Sequence, residues 1–103
     1  MKEARVRLDR IFAESVPLVE EQRLIKYIEP YYSRNARKKS VPAVVWVEVT
    51  INPYGDVTHV EVIQGHRLLN SEAIRAVKQW KYEPCIMAEK ARTVRFRVKV
   101  KFS

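Results

Sequence analysis

Apolar and polar residues alternate most strictly near the end of the chain. Between Thr93 and Phe102, the apolar Val94, Phe96, Val98, Val100 and Phe102 interleave with Arg95, Arg97, Lys99 and Lys101. Successive side chains of a strand leave opposite faces, so this pattern predicts a strand with one apolar and one wholly basic face. Ala43 to Ile51 behaves in the same way. Val45, Val47, Val49 and Ile51 share one face, and Val44, Trp46, Glu48 and Thr50 share the other. Val57 to Gln64 is a third strand, but Val57, Val60, Val62 and Ile63 break strict alternation, which predicts a bulge or burial on both sides. Asn52-Pro53-Tyr54-Gly55-Asp56 lies between the two. Proline presets one dihedral and glycine supplies positive φ, so these strands are expected to pair as a hairpin.

The period changes in Leu68 to Pro84, LLNSEAIRAVKQWKYEP. Asn70 or Ser71 is a candidate N-cap, Glu72 suits the positive end of a helix, and Ala73, Ile74, Val77 and Trp80 fall on one helical face. Pro84 is the predicted stop, and Met87 to Lys90 reads as a loop. Tyr31 to Lys39 reads as a short helix capped by Ser33, with Pro42 at its exit. Residues 2 to 28 read as helical. Leu8, Ile11 and Phe12 share a face, Leu18, Leu24, Ile25 and Ile28 share another, and Pro17 suits the first turn of a second helix. Pro30 ends this region. The fold class is therefore α+β: a three-stranded antiparallel sheet covered by one main helix, in the order strand, strand, helix, strand, preceded by short N-terminal helices.

Composition limits what such a domain can do. At 103 residues the chain fits one domain, and 47% hydrophobic content excludes a disordered composition. No apolar run approaches the roughly 20 residues of a membrane span, so these residues are expected to be soluble by themselves. Cys85 is the only cysteine, so no intrachain disulfide can form, and it is expected to pack as a small, partly buried residue. The 20 Lys and Arg exceed the 12 Asp and Glu, giving +8, which favours nucleic acid, anionic headgroups or acidic peptides as partners. The charge is clumped at Arg34, Arg37, Lys38 and Lys39, and again from Lys90 to Lys101.

Catalytic patterns are missing. His59, His66 and Cys85 do not have zinc-ligand spacing, Gly55 and Gly65 form no phosphate loop, the carboxylates are scattered, and there is no serine-nucleophile signature. No enzyme activity, metal or cofactor is expected. The basic strand has two readings. One is the solvated face of an edge strand whose lysines discourage unwanted pairing. The other is an edge that accepts an added peptide strand through its backbone, with Arg95, Arg97, Lys99 and Lys101 favouring acidic residues in the peptide. A basic nucleic-acid-binding domain is the alternative. Trp46 is the large aromatic placed to stack on a base, Trp80 belongs with the core, and no RNP, KH or zinc-knuckle pattern supports that reading.

The ordered set of motifs resembles the C-terminal domain of the TonB family of energy transducers. Pro30-Tyr31-Tyr32-Ser33-Arg34-Asn35-Ala36 matches its first element, with Ser33 where a second proline is usual. Ala43 to Val49 matches its first strand, with Ala43 where glycine is usual. Asn52 to Val57 matches the turn, Leu68 to Pro84 the helix and its Trp-Lys-Tyr-Glu-Pro exit, and Thr93 to Phe102 the closing strand. The resemblance covers about residues 24–103 as one domain, with 1–23 an N-terminal helical extension. It implies a periplasmic, non-enzymatic module, anchored to the inner membrane in the full-length protein by a preceding span and proline-rich spacer. Such a module docks on TonB-dependent outer-membrane transporters and captures their TonB-box segment as an added strand, while an ExbB/ExbD-type motor supplies proton-motive force. The same domain also occurs as an appended interaction module in other envelope proteins. Carried over by position, the implied peptide-binding residues are Arg92, Thr93, Val94, Arg95, Phe96, Arg97, Val98, Lys99 and Val100. Glu29 and Pro30 are the implied transporter contacts. Trp80 and Tyr82 are expected to hold the helix on the sheet, and exposed edge strands leave room for a homodimer.

Overall fold

The computed structural model describes residues 16–39 and 43–103. Two of the predicted strands, β2 (Val44–Ile51) and β3 (Val57–Gln64), form the expected hairpin. After helix α2 (Asn70–Val77), the long strand β7 (Val94–Lys101) returns beside β2, so the sheet runs β3-β2-β7 and is antiparallel throughout. The register places apolar residues opposite one another: Val45 faces Val100, Val47 faces Val98, Val49 faces Phe96 and Ile51 faces Val94. All of these but the half-buried Val98 are fully withdrawn from solvent. Each such side chain contributes roughly 1.5–3 kcal/mol of burial.

The irregularity of β3 is real and has a purpose. Thr50 pairs with His59 and Ile51 with Val57, so Thr58 is an extra residue that brings Val57 round to the face of Val60 and Val62. A second shift at Ile63 turns that side chain outward, where it is 48% exposed. The intervening turn is held by Asn52, whose Oδ1 accepts from the backbone N–H of Tyr54 (2.9 Å) and Asp56 (3.0 Å). Gly55 sits at φ +87°, and a Cβ there would lie 2.0 Å from the carbonyl oxygen of Tyr82.

Helix α2 covers the inner face with Ala73, Ala76 and Val77, beneath which lie Leu69, Trp80, Tyr82 and Phe96. The helix is shorter than expected. It ends at Val77 rather than running toward Pro84, and Lys81–Tyr82 forms a short strand, β4. Its N-cap is Leu69, without a side-chain bond. Asn70 instead uses Oδ1 to accept from the backbone N–H of His66 at 2.8 Å, so neither Asn70 nor Ser71 caps the helix. Cys85 is buried, as expected, but it opens a hairpin of β5 (Cys85–Met87) and β6 (Lys90–Arg92) where a loop was expected from Met87. Ala88 and Glu89 make its turn at φ 52° and 66°.

The N-terminal part differs most. Residues 16–28 hold no helix; Leu24–Lys26 is a strand, β1, paired antiparallel with β4. Backbone pairing with Tyr82 wins over the loose helical spacing of Leu24, Ile25 and Ile28. The remainder of the predicted helical extension, residues 1–15, lies outside the described residues. The short helix after Pro30 is present as α1 (Arg34–Lys38), and Ser33 caps it by accepting from Ala36 N–H at 3.1 Å. An aromatic row ties these parts together: Tyr27 to Trp80 at 5.1 Å between ring centroids, Trp80 to Tyr82 at 6.3 Å, and Tyr82 to Phe96 at 4.7 Å. Burial pushes the Tyr82 phenol well above its ordinary pKa.

Gly55→Ala tests the turn. It combines left-handed strain with a backbone clash, and the expected loss is at least about 2 kcal/mol. Urea unfolding measures it, and a variant as stable as the wild type would contradict the turn geometry.

Candidate functional site

A sheet ordered β3-β2-β7 leaves β7 with one side unpaired, and the alternation of the strand decides what is presented there. Backbone N–H and C=O groups of a given residue in an antiparallel strand point to the same side, and the side alternates along the strand. Arg95 turns both groups away from β2: its N–H donates to the Pro17 carbonyl at 2.9 Å and its carbonyl accepts from Val19 N–H at 2.9 Å. By the same alternation Arg97, Lys99 and Lys101 also direct their backbone groups to the open edge. Val94, Phe96, Val98 and Val100 spend theirs on β2. Among the described residues, the outward groups of Arg97, Lys99 and Lys101 have no backbone partner.

The side chains are arranged around one carboxylate. Glu48, in the middle of β2, holds Arg95 Nη1 at 3.1 Å and Arg97 Nε at 3.6 Å from Oε1. Arg95 also donates from Nε to the Val16 carbonyl at 2.9 Å. Lys99 lies over the ring of Trp46 at 5.9 Å, and that indole is 40% exposed as expected. The Arg97 side chain is 58% exposed, and Lys99 and Lys101 are exposed too, so positive charge faces outward along the edge. A groove of about 410 Å³ at the start of β7 is lined by Val16, Pro17, Met87, Ala88, Arg92 and Thr93. A second, of about 270 Å³, lies farther along, between Leu18, Val19, Glu20 and Arg97.

The nine residues carried over for the closing strand therefore sort by geometry. Arg92 belongs to β6, where it pairs with Cys85, and Thr93 joins β6 to β7. Val94, Phe96 and Val100 are buried scaffold, and Val98 is half-buried. Arg95, Arg97 and Lys99 provide the outward backbone. Of the two carried-over contacts before α1, Pro30 is buried and Glu29 is exposed. Glu29 accepts from Ser103 Oγ at 3.4 Å, which sets it just past the end of β7, and it lines a groove of about 400 Å³ with Tyr31, Glu72, Arg75, Ala76 and Gln79. Trp80 has a more specific role than covering the sheet: its Nε1 donates to the Ile28 carbonyl at 2.7 Å and so fixes the chain leading to Glu29.

Two parts of this edge are not evident from the sequence. There Glu48 is only a polar position on β2, and its partners appear once Thr50 is set opposite Arg95 and Glu48 opposite Arg97. Val16 to Val19 reads as helical by spacing. A short β-branched run containing proline also fits an edge strand, which is the signal that would have found it. His59 is exposed and His66 occupies the turn before α2, and the described residues contain no group of metal-binding side chains.

The family model described as Gram-negative bacterial TonB protein C-terminal matches residues 28–103. The chain is 30% identical over 73 residues to Protein TonB of Vibrio cholerae serotype O1, a match that covers 68% of this chain and 30% of that relative's length. Its structure is similar to the solution NMR structure of the Pseudomonas aeruginosa TonB CTD, with a TM-score of 0.63 at 20% identity over 84% of this chain and 91% of that one.

Replacing Glu48 by Gln keeps the shape and removes the charge that gathers Arg95 and Arg97. The expected loss is roughly 1–2 kcal/mol, since a hydrogen bond to a partly buried charged group is worth about that much. Chemical denaturation measures it: the loss belongs to the pair if Glu48→Gln costs little in an Arg95→Gln background, and a Glu48→Gln variant as stable as the wild type would contradict it.

Proposed function

This chain belongs to the Gram-negative bacterial TonB C-terminal family, a family of non-enzymatic transducers, and from that premise we propose that it is a periplasmic docking module. Its β7 edge takes the TonB-box segment of an outer-membrane transporter as an added strand. In the full-length protein, held at the inner membrane, this contact carries the pull of an ExbB/ExbD-type motor to the transporter. The observation that carries the reading is the row of outward backbone groups on Arg97, Lys99 and Lys101, flanked by exposed cationic side chains. Strand addition draws its affinity from such a row, and the alternate side chains select the peptide. Positive charge along the edge favours a segment carrying acidic residues. Glu29 lies beyond the end of β7, and in this reading it meets the body of the transporter as the added strand leaves the edge.

The test is a titration of the 15N-labelled chain with a synthetic TonB-box peptide. Amide shifts are expected to concentrate in residues 94–101, with smaller changes near Glu29. Lys99→Pro removes one outward N–H at a position where an edge strand tolerates proline, so the fold persists. Binding should weaken roughly 3- to 10-fold, the worth of one hydrogen bond. Lys99→Gln, which keeps the N–H, should weaken it less. Strand addition should also lose affinity only mildly with added salt, unlike phosphate binding. No shifts in residues 92–100 at millimolar peptide would overturn the proposal.

A further inference from the structure

The edge offered to a partner strand is already partly filled by the chain itself. Pro17 and Val19 bracket Arg95, one accepting from its N–H and the other donating to its carbonyl, and Leu18 pairs with Arg95 in the parallel sense. Arg95 adds a side-chain bond to the Val16 carbonyl. This is the hydrogen-bond pattern of strand addition, made in cis. The segment fits only partly. Val19 packs against the core, but Leu18 remains 49% exposed. Past Val19 no further backbone bond joins the segment to β7 among the described residues, and Leu18, Val19 and Glu20 line a groove beside Arg97. A strand running the length of β7 in trans therefore meets occupied groups at Arg95.

The residues just after the segment hold it in place. Gln22 donates from Nε2 to the Glu83 carbonyl at 2.9 Å, Arg23 accepts from Glu83 N–H at 2.8 Å, and β1 then pairs with β4. The docked residues are thus tethered two residues upstream of a fixed point. Such a short tether keeps a weak strand at an effective concentration on the order of millimolar.

Resting on the strand-addition reading, we infer that Val16–Glu20 is a cis placeholder for the incoming strand and regulates access to the β7 edge by competing with it. An incoming peptide displaces Val16–Val19 before it pairs along Arg95 to Lys101. Occupancy of the edge in cis divides the affinity for a trans strand by the fraction of molecules whose edge is free. The placeholder also satisfies exposed edge groups that would otherwise pair with other chains.

The full chain tests this with the same TonB-box peptide. Val19→Pro deletes the N–H that reaches Arg95 and should tighten peptide binding about 5-fold, the gain expected if roughly four-fifths of wild-type edges are closed. In the wild type, hydrogen exchange at the Val19 amide should speed up as peptide saturates residues 94–101. This readout needs no variant and stands if Val19→Pro folds poorly. Peptide shifts in β7 with equal affinity in both proteins and an unchanged Val19 amide would overturn the placeholder and leave strand addition intact. No shifts in either protein would remove strand addition itself, and the competition with it.

Discussion

Everything at the β7 edge depends on how the strand alternates. One period of two does two jobs. It drives Val94, Phe96 and Val100 into the core, where they meet Ile51, Val49 and Val45. It also turns the backbone of the intervening basic residues away from β2, so at Arg97 and Lys99 an exposed cation and outward backbone groups without a partner among the described residues belong to the same residue. A shift of one residue would bury the arginines and spend their backbone groups on β2. The apolar set therefore fixes the register on which the edge depends.

The second constraint is the path of the chain before α1. Trp80 holds the Ile28 carbonyl, and β1 is paired with β4, so the polypeptide is led from β4 toward the end of β7. That path brings Glu29 beside Ser103 at one end of the edge and Val16–Val19 onto Arg95 nearer the other. The Trp-Lys-Tyr-Glu-Pro exit of α2 supplies these ties. It is the clearest family mark in the chain, and it works at a distance from the edge by placing what surrounds it.

Much of the fold is legible in the residues. Strands β2 and β7 announce themselves because one buried face and one solvated face leave a strict alternation. The extra residue in β3 shows as broken alternation, Gly55 as a turn needing positive φ, and Ser33 as a helix cap. The resemblance drawn from these motifs agrees with the family match over residues 28–103. The hidden parts rest on pairings distant in sequence. Leu24–Lys26 has helical spacing and becomes a strand only because Tyr82 and Lys81 offer it a partner. The end of α2 is misplaced by its spacing because Trp80 leaves the helix to reach Ile28, a bond that no local pattern shows. The β5–β6 hairpin reads as a loop because Ala88 and Glu89, rather than Asn or Gly, adopt its positive φ values. Basic residues mark the edge strand, but only the register separates Arg95, already engaged in cis, from Arg97 and Lys99, whose outward groups have no backbone partner among the described residues.

The central claim is that a partner strand bonds to the backbone of β7, and through-hydrogen-bond couplings between labelled protein and labelled peptide measure this most directly. The account predicts couplings linking peptide amides to the carbonyls of Arg97 and Lys99, in the parallel sense already set by Leu18 on Arg95. A peptide that shifts the Arg97, Lys99 and Lys101 side chains but shows no coupling to any β7 backbone group would contradict it. The edge would then be a charged surface and not a template for a strand.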